Sequence, residues 1–386
     1  MRAALGTPSR DMSERRQRAL RTWLISLWLL VLIMVMVGGI TRLTGSGLSI
    51  VEWRPVTGAL PPLSEAAWVE AFDAYRRSPQ FVHQNSWMQL SDFKQIYFWE
   101  YVHRLLGRLI GLVTFVPWLY FALRGYMTRR VALRTFSLLI LGGMQGLLGW
   151  WMVKSGLANE PRVSHYRLAA HLILAFGVGQ WILWQALDLL GGVESRREAP
   201  ATEHHASERL APRLRYLSFG VVPLLFLQLI YGAFMAGTRA GYLSATFPDM
   251  NGHYAPAYFF SASDIGRSLL SNPMTIHYVH RVLAFALLGY ALWLAIALRG
   301  SGQNVRAAAW FFLGAVLGQG LLGAMTVMLR VPMGVAVVHQ GGAYVLCGAA
   351  VLLLHAVRST EPEIAKQPEA SASPVFPAGS AQKLSE

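Results

Sequence analysis

The sequence is short of cysteine, of charge, and most of all of acidic residues. One cysteine, Cys347, stands in 386 residues, which excludes an internal disulfide and any cysteine-built metal cluster within one chain. It lies in an apolar run and reads as a small buried hydrophobe. Only 14% of the residues are charged and 54% are hydrophobic, whereas soluble domains carry roughly 25% charged residues. That excludes an ordinary soluble domain and describes a membrane protein. Asp and Glu number 20 against 34 Lys and Arg, a formal net charge of +14. The excess does not mark a nucleic-acid partner. Its arginines cluster in short segments between apolar runs, as the positive-inside bias requires. A cleavable signal is not read either, because the first apolar stretch runs on too long and lacks an Ala-x-Ala exit.

What is present is apolar length. Runs cover about 22–40, 97–122, 133–153, 166–190, 215–236, 275–298, 307–329 and 333–356, each near the roughly 20 residues a helix needs to cross a bilayer. The expected fold is therefore an all-α integral membrane protein of eight transmembrane helices, with both termini on one side. The tails and even-numbered connections hold 20 Lys and Arg and the opposite connections 11. This places both termini in the cytoplasm, or in the matrix of a mitochondrion.

Residues 1–21 form a basic tail. Segment 41–96 is too long for a simple turn and carries Pro55, Pro61 and Pro62 before an amphipathic stretch near 64–77. It is expected to fold as an outer cap with one or two short helices at the membrane surface. Segment 237–273 is its shorter Gly- and aromatic-rich counterpart. The linker 191–214 and the tail 358–386 are polar and expected to be flexible.

The chain repeats itself. Tyr-Val-His-Arg at 101–104 returns at 278–281, an offset of 177, and Gln145-Gly-Leu-Leu-Gly returns at Gln319, an offset of 174. Val37-Gly38-Gly39 resembles Tyr231-Gly232-Ala233, and His171 matches His339. Four spans per copy make this a parallel repeat, and two tandem pseudo-symmetric four-helix bundles, 22–190 and 215–357, are the expected architecture.

His103, His171, His280 and His339 all fall within the first two turns of spans entering from the outside. In each copy one comes from the second span and one from the fourth. Paired imidazoles across a bundle core hold a haem iron from both axial sides, so each copy has the ligands for one haem. Gly107 and Ala284 lie four positions after His103 and His280, beneath the imidazole on the same face. Glycines at 142, 143, 146 and 149 line the third span, and those at 314, 318, 320 and 323 the seventh. Small residues let a macrocycle, or equally another helix, approach the backbone. Arg104 and Arg281 are positioned either for haem propionates or for snorkelling to the interface. No carboxylate or thiol completes a tetrahedral zinc or copper site. Of the other histidines, His204 and His205 read as solvated, His165 and His355 as interfacial, and His83 and His253 as weak outer candidates.

The two copies differ at one position. Glu100 lies one turn from His103, and His277 takes its place before His280. A carboxylate in a region of low dielectric is a usable proton acceptor, or else an ion-pair partner for Arg104. The first copy thus reads as catalytic, and the second as holding a resident electron-transfer haem.

Over residues 22–357 the sequence resembles the haem A synthase family. The likeness rests on Gly38-Gly-Ile-Thr-Arg-Leu-Thr-Gly-Ser-Gly-Leu-Ser, Glu52-Trp-Arg-Pro-Val-Thr-Gly-Ala-Leu-Pro-Pro, Trp99-Glu-Tyr-Val-His-Arg-Leu-Leu-Gly-Arg, Ile276-His-Tyr-Val-His-Arg and Val338-His-Gln. The first outer loop lacks the cysteine pair of other branches and resembles the alphaproteobacterial and mitochondrial one. The resemblance implies oxidation of a methyl substituent of haem O to a formyl group, giving haem A, by two hydroxylations and loss of water. It implies that His280 and His339 ligate haem b, that His103 and His171 address the substrate haem iron, and that Glu100 is the essential carboxylate. By the same resemblance haem O synthase and cytochrome oxidase assembly factors are the expected partners, beside membrane lipid, and a homo-oligomer is allowed.

Two other readings stay open: a dihaem b cytochrome passing electrons from quinol, and a haem transporter or chaperone, which would lack the usual inverted repeat or broken helices. Prenyl transfer is excluded, since no Asp-x-x-x-Asp motif is present to hold magnesium.

Overall fold

The computed structural model of the chain describes residues 10–53, 57–157, 163–197, 212–255 and 264–359. Its helices are α1 (Arg10–Leu43), α2 (Glu65–Arg76), α3 (Leu90–Leu123), α4 (Arg129–Gly156), α5 (His165–Arg197), α6 (Pro212–Phe219), α7 (Val221–Thr238), α8 (Ile265–Ser271), α9 (Pro273–Ala297), α10 (Gln303–Met328) and α11 (Met333–Ser359). Eight segments are long and apolar enough to cross a membrane: α1, α3, α4, α5, the stretch Arg213–Thr238 across α6 and α7, α9, α10 and α11. Among the described residues there is no strand, only an isolated bridge between Met250 and His253. His204, His205 and the tail from 360 lie outside the described residues.

Local chemistry sets where the long helices begin. Gln89 and Asp92 form a capping box at α3, the Gln89 amide donating to Asp92 Oδ2 at 2.9 Å. Each end of the box satisfies a backbone donor that the first helical turn leaves unpaired. Thr128 Oγ1 accepts from the Val131 amide at 3.3 Å to start α4. At α9, Asn272 Oδ1 accepts from the Met274 amide at 2.9 Å, and Pro273 occupies the first turn, where its missing N–H costs nothing.

The repeat reappears in the packing. α1 rests on α11 and α7 rests on α5. By the sequence repeat α1 corresponds to α7 and α5 to α11, so these two contacts join corresponding helices. Where α5 meets α11, the mates Phe176 and Tyr344 stack edge-to-face, with ring centroids 5.4 Å apart. Tyr344 is fully buried and donates to the Trp28 carbonyl at 3.1 Å. Gly179 makes room for it, because a Cβ there would collide with the Tyr344 hydroxyl. The lipid-facing surface repeats as well. Leu147 and its mate Leu321 are 67% and 63% exposed, as expected where hydrocarbon rather than water surrounds the helix.

The segment between α1 and α3 has its own small core. Ser64 caps α2, and Tyr75 and Phe93 pack with Ile96, Trp68, Phe72 and Phe81. α3 starts before its apolar span and so brings Phe93 and Ile96 to this core. The Tyr75 hydroxyl donates to Gln80 Oε1 at 3.1 Å and accepts from Asn85 Nδ2 at 2.7 Å. Gln80 in turn donates to the Gly45 carbonyl at 2.9 Å, joining α2 to the end of α1. Burial raises the Tyr75 phenol above its ordinary value, the Asn85 hydrogen bond opposes this, and the negative charge of Glu100 adds to it. An acid with a raised folded value keeps its proton when the unfolded chain, with a value of about 10, has lost it. Stability from Tyr75 is therefore complete below about pH 10 and falls as pH rises beyond it. Alkaline titration of the cap's near-ultraviolet signal should show this loss in the wild type, and Tyr75→Phe should remove it.

Candidate functional site

The four histidines predicted as ligands are brought together in two pairs, and each ring lies against a glycine of the neighbouring helix. A Cβ built on Gly38 of α1 would stand 3.2 Å from Cε1 of His103 on α3, and one on Gly149 of α4 would stand 3.1 Å from Cε1 of His171 on α5. In the second half a Cβ on Gly232 of α7 would be 3.3 Å from His280 of α9. One on Gly323 of α10 would be 3.0 Å from His339 of α11. These distances are tighter than side chains tolerate without moving the ring. Glycine thus allows the same close approach of ring to backbone at four positions, where a Cβ would push the ring back by a few tenths of an ångström. His103 and His171 are near neighbours, as are His280 and His339.

Glutamines on the intervening helices hold these rings. Gln145 Nε2 donates to the His171 carbonyl at 3.0 Å and lies 3.2 Å from both ring nitrogens. Its mate Gln319 donates to the His339 carbonyl at 2.8 Å and reaches Nδ1 at 3.1 Å, so Nε2 of His339 remains for another partner. Gln228 Nε2 lies 3.5 Å from Nε2 of His280, whose Nδ1 is buried with no hydrogen-bond partner. Sequence reasoning found Gln145 and Gln319 only as marks of the repeat. Their place beside a histidine on the following helix was not visible without the packing.

Other small residues of α4 and α10 are exposed. At Gly142, Gly143 and Gly146 on α4, and at Gly314, Gly318 and Gly320 on α10, a Cβ would meet nothing within 4 Å. Gly107 differs from the expectation. It faces the Met34 methyl, 3.5 Å from a Cβ built there, rather than the imidazole before it.

Glu100 is buried at 3% exposure and both of its oxygens are occupied. Oε2 accepts from the Ser49 hydroxyl at 2.7 Å and the Ile50 amide at 2.8 Å. Oε1 accepts from Arg104 Nε at 3.0 Å and Nη2 at 2.6 Å. Arg104 also donates to the carbonyls of Ile50 and Glu52 at 2.8 and 3.1 Å, so the pair ties the loop after α1 to α3. Ser49 is a site residue that no spacing argument pointed to.

The equivalent place in the second half is built differently. Arg281 Nε donates to Nε2 of the fully buried His277 at 3.0 Å, and Nη1 donates to the Asp249 carbonyl. Arg281 is itself 8% exposed, and its Nη2 is buried with no hydrogen-bond partner.

The remaining candidates fall elsewhere. His165 Nε2 lies 2.9 Å from the Leu270 carbonyl. His355 lies 3.1 Å from Asp188 Oδ1, within a cluster in which Arg134 pairs with Asp188 Oδ2 at 2.7 Å. His83 sits in the outer cap and His253 in the Met250 bridge. Among the described residues no group of three or more His, Cys, Asp and Glu could hold a bare metal ion.

Residues 21–351 match the family described as cytochrome oxidase assembly protein. The chain belongs to that family. It is similar to heme A synthase of Parvibaculum lavamentivorans, 43% identical over 345 residues covering 89% of this chain and 96% of the relative. It is similar to those of Sphingopyxis alaskensis, 42% identical over 349 residues (90% and 95%), and Nitrosospira multiformis, 42% identical over 353 residues (90% and 96%). With eight membrane-length helices and this membership, the chain is an integral membrane protein of the haem A synthase type.

Proposed function

We propose that this chain is a haem A synthase, an oxidoreductase that converts a methyl group of haem O to the formyl group of haem A. The observation that carries the reading is the unequal pair of sites. Each half presents two histidines packed on glycines, but only the first adds a buried carboxylate, Glu100, one turn from its histidine. That difference fits one half for chemistry and the other for a resident cofactor.

The donor sets fit the groups. The two imidazoles of each half are suitable ligands for a haem iron. His280 and His339 would hold haem b, which when bound supplies one-electron transfer. Gln319 would fix the His339 ring, and the free Nη2 of Arg281 would receive a propionate. In the first half His103 and His171 would hold substrate haem O. Arg104 could meet a propionate there only while still bonded to Glu100. Glu100 would take a proton at the reacting methyl or steer water to it, its position set by Ser49, Ile50 and Arg104. Taking the methyl to the formyl group through two hydroxylations and loss of water from a geminal diol adds one oxygen atom and releases four electrons and four protons, so the reaction needs an external electron acceptor.

The excess of Lys and Arg in the tails and even-numbered connections supports termini in the cytoplasm and histidine pairs toward the outer side. Haem O synthase and cytochrome oxidase assembly factors are the partners that such a substrate and product call for.

Outer-shell partners of a metal ligand typically change affinity by about 10–100-fold. Gln319→Leu should therefore weaken haem b retention in that range while leaving the protein folded, as read by haem-to-protein absorbance after gel filtration. The function itself is tested by expressing the chain with a source of haem O and chromatographing its extracted haems. Haem b together with haem A supports the reading. Two equivalents of haem b and no conversion would make it an electron-transfer cytochrome.

A further inference from the structure

Arg104 and Arg281 occupy the same position of the repeat, one residue after a histidine, yet their charges are handled in opposite ways. Each of the three nitrogens of Arg104 makes a hydrogen bond, and four of its five N–H donors are used: two on the Glu100 carboxylate and two on the carbonyls of Ile50 and Glu52. The ion pair is 2.6 Å long, and its side chains are 14% and 4% exposed. Arg108, one turn deeper, has contacts of its own. In the second half Arg281 meets no carboxylate within ion-pair distance among the described residues. The His277 nitrogen that accepts from Arg281 Nε cannot carry a proton, so that face of the ring offers no opposing charge. Asp249 offers Arg281 its backbone carbonyl, while its solvent-facing carboxylate accepts from the Gly252 amide at 3.4 Å and acts on Arg281 only through space, without a bond. Arg281 Nη2 is left buried and unpartnered.

A buried guanidinium with an open donor binds an anion strongly, because the anion supplies what burial removed. One already paired with a carboxylate gains far less from a second anion. We propose that the residue at this position, Glu100 in the first half and His277 in the second, decides whether a half releases or retains its haem. Glu100 cancels Arg104 and keeps the first site exchangeable, so that product leaves. His277 leaves Arg281 without a bonded carboxylate and with Nη2 open, and keeps the second haem resident through its propionates. The proposal rests on the haem A synthase reading, and it gives Glu100 a role separate from any proton transfer.

The test is haem release from the full-length protein in detergent, in the presence of excess haem-scavenging apoprotein. The leaving haem is identified by chromatography, since haem b reports the second half and haem O or A the first. Expected results are faster release of haem O and A than of haem b in the wild type, and at least tenfold slower release of haem O and A in Glu100→Gln. Glutamine preserves the oxygen that accepts from Ser49 and Ile50 while removing the charge. His277→Glu should release haem b at least tenfold faster. His277→Gln, an uncharged acceptor for Arg281, should retain haem b like the wild type. Unchanged rates in Glu100→Gln and His277→Glu would overturn the proposal. So would equal loss of haem b from His277→Gln and His277→Glu, which would make packing rather than charge the cause. If the wild type never carries haem O or A, the haem A synthase reading fails and takes the proposal with it. If it makes haem A and the rates do not follow the charge, only the proposal fails.

Discussion

Replacing His280 or His339 by alanine is expected to strip the protein of haem b, whereas the same change at His103 or His171 should leave haem b in place and abolish conversion of haem O. The asymmetry follows from the two pairs being separate. Each imidazole is packed on a glycine of its own half, Gly232 and Gly323 for the second pair and Gly38 and Gly149 for the first. Removing one axial ligand should weaken retention at least tenfold, equivalent to ~1.4 kcal/mol. The haem-to-protein ratio of purified variants, with the extracted haems identified, checks the expectation. Truncating a ring against glycine leaves a cavity rather than a clash. The variants should therefore remain folded, and loss of haem b from all four alike would contradict a division of labour.

The second large effect is at Glu100. Glu100→Ala should lower conversion of haem O by about 10²–10⁴-fold, the range for a positioned acid–base group, without lowering haem b content. The alanine also removes the acceptor for Ser49 and Ile50 and leaves Arg104 buried without its carboxylate. Some of the loss will therefore come from a loosened loop after α1. Ser49→Ala separates the two contributions. It removes one 2.7 Å hydrogen bond to Glu100 but leaves the carboxylate and its bond to Arg104, and a loss well below that of Glu100→Ala is expected. If the two variants were equally impaired, the hold on the loop would matter rather than the carboxylate.

Much of this arrangement was legible in the sequence because a membrane makes charge and periodicity expensive to misplace. Eight apolar runs could be counted directly, and the matched spacing of Tyr-Val-His-Arg and Gln-Gly-Leu-Leu-Gly located the histidine pairs before any coordinates. What could not be read were contacts between helices far apart in the chain. Nothing local tells that Gly38 lies under His103, that Gln319 reaches His339, or that Phe176 and Tyr344 meet between the two halves. Glu100 was visible as an ionisable group at membrane depth, and its pairing with Arg104 was one of two options that helical spacing allowed. Its bonds to Ser49 and Ile50 depend on how an outer loop folds back over α3, which no periodicity encodes. Gly107 shows the opposite error, a small residue assigned to an imidazole by spacing alone that packs on Met34 instead.

The most direct test is the haem composition of purified wild type beside Glu100→Ala, both expressed with a source of haem O and extracted for chromatography. A haem A synthase with Glu100 at its centre should give haem b with haem A in the wild type, and haem b with haem O or a hydroxylated product in the variant. Equal amounts of haem b alone in both proteins, two per chain, would contradict it.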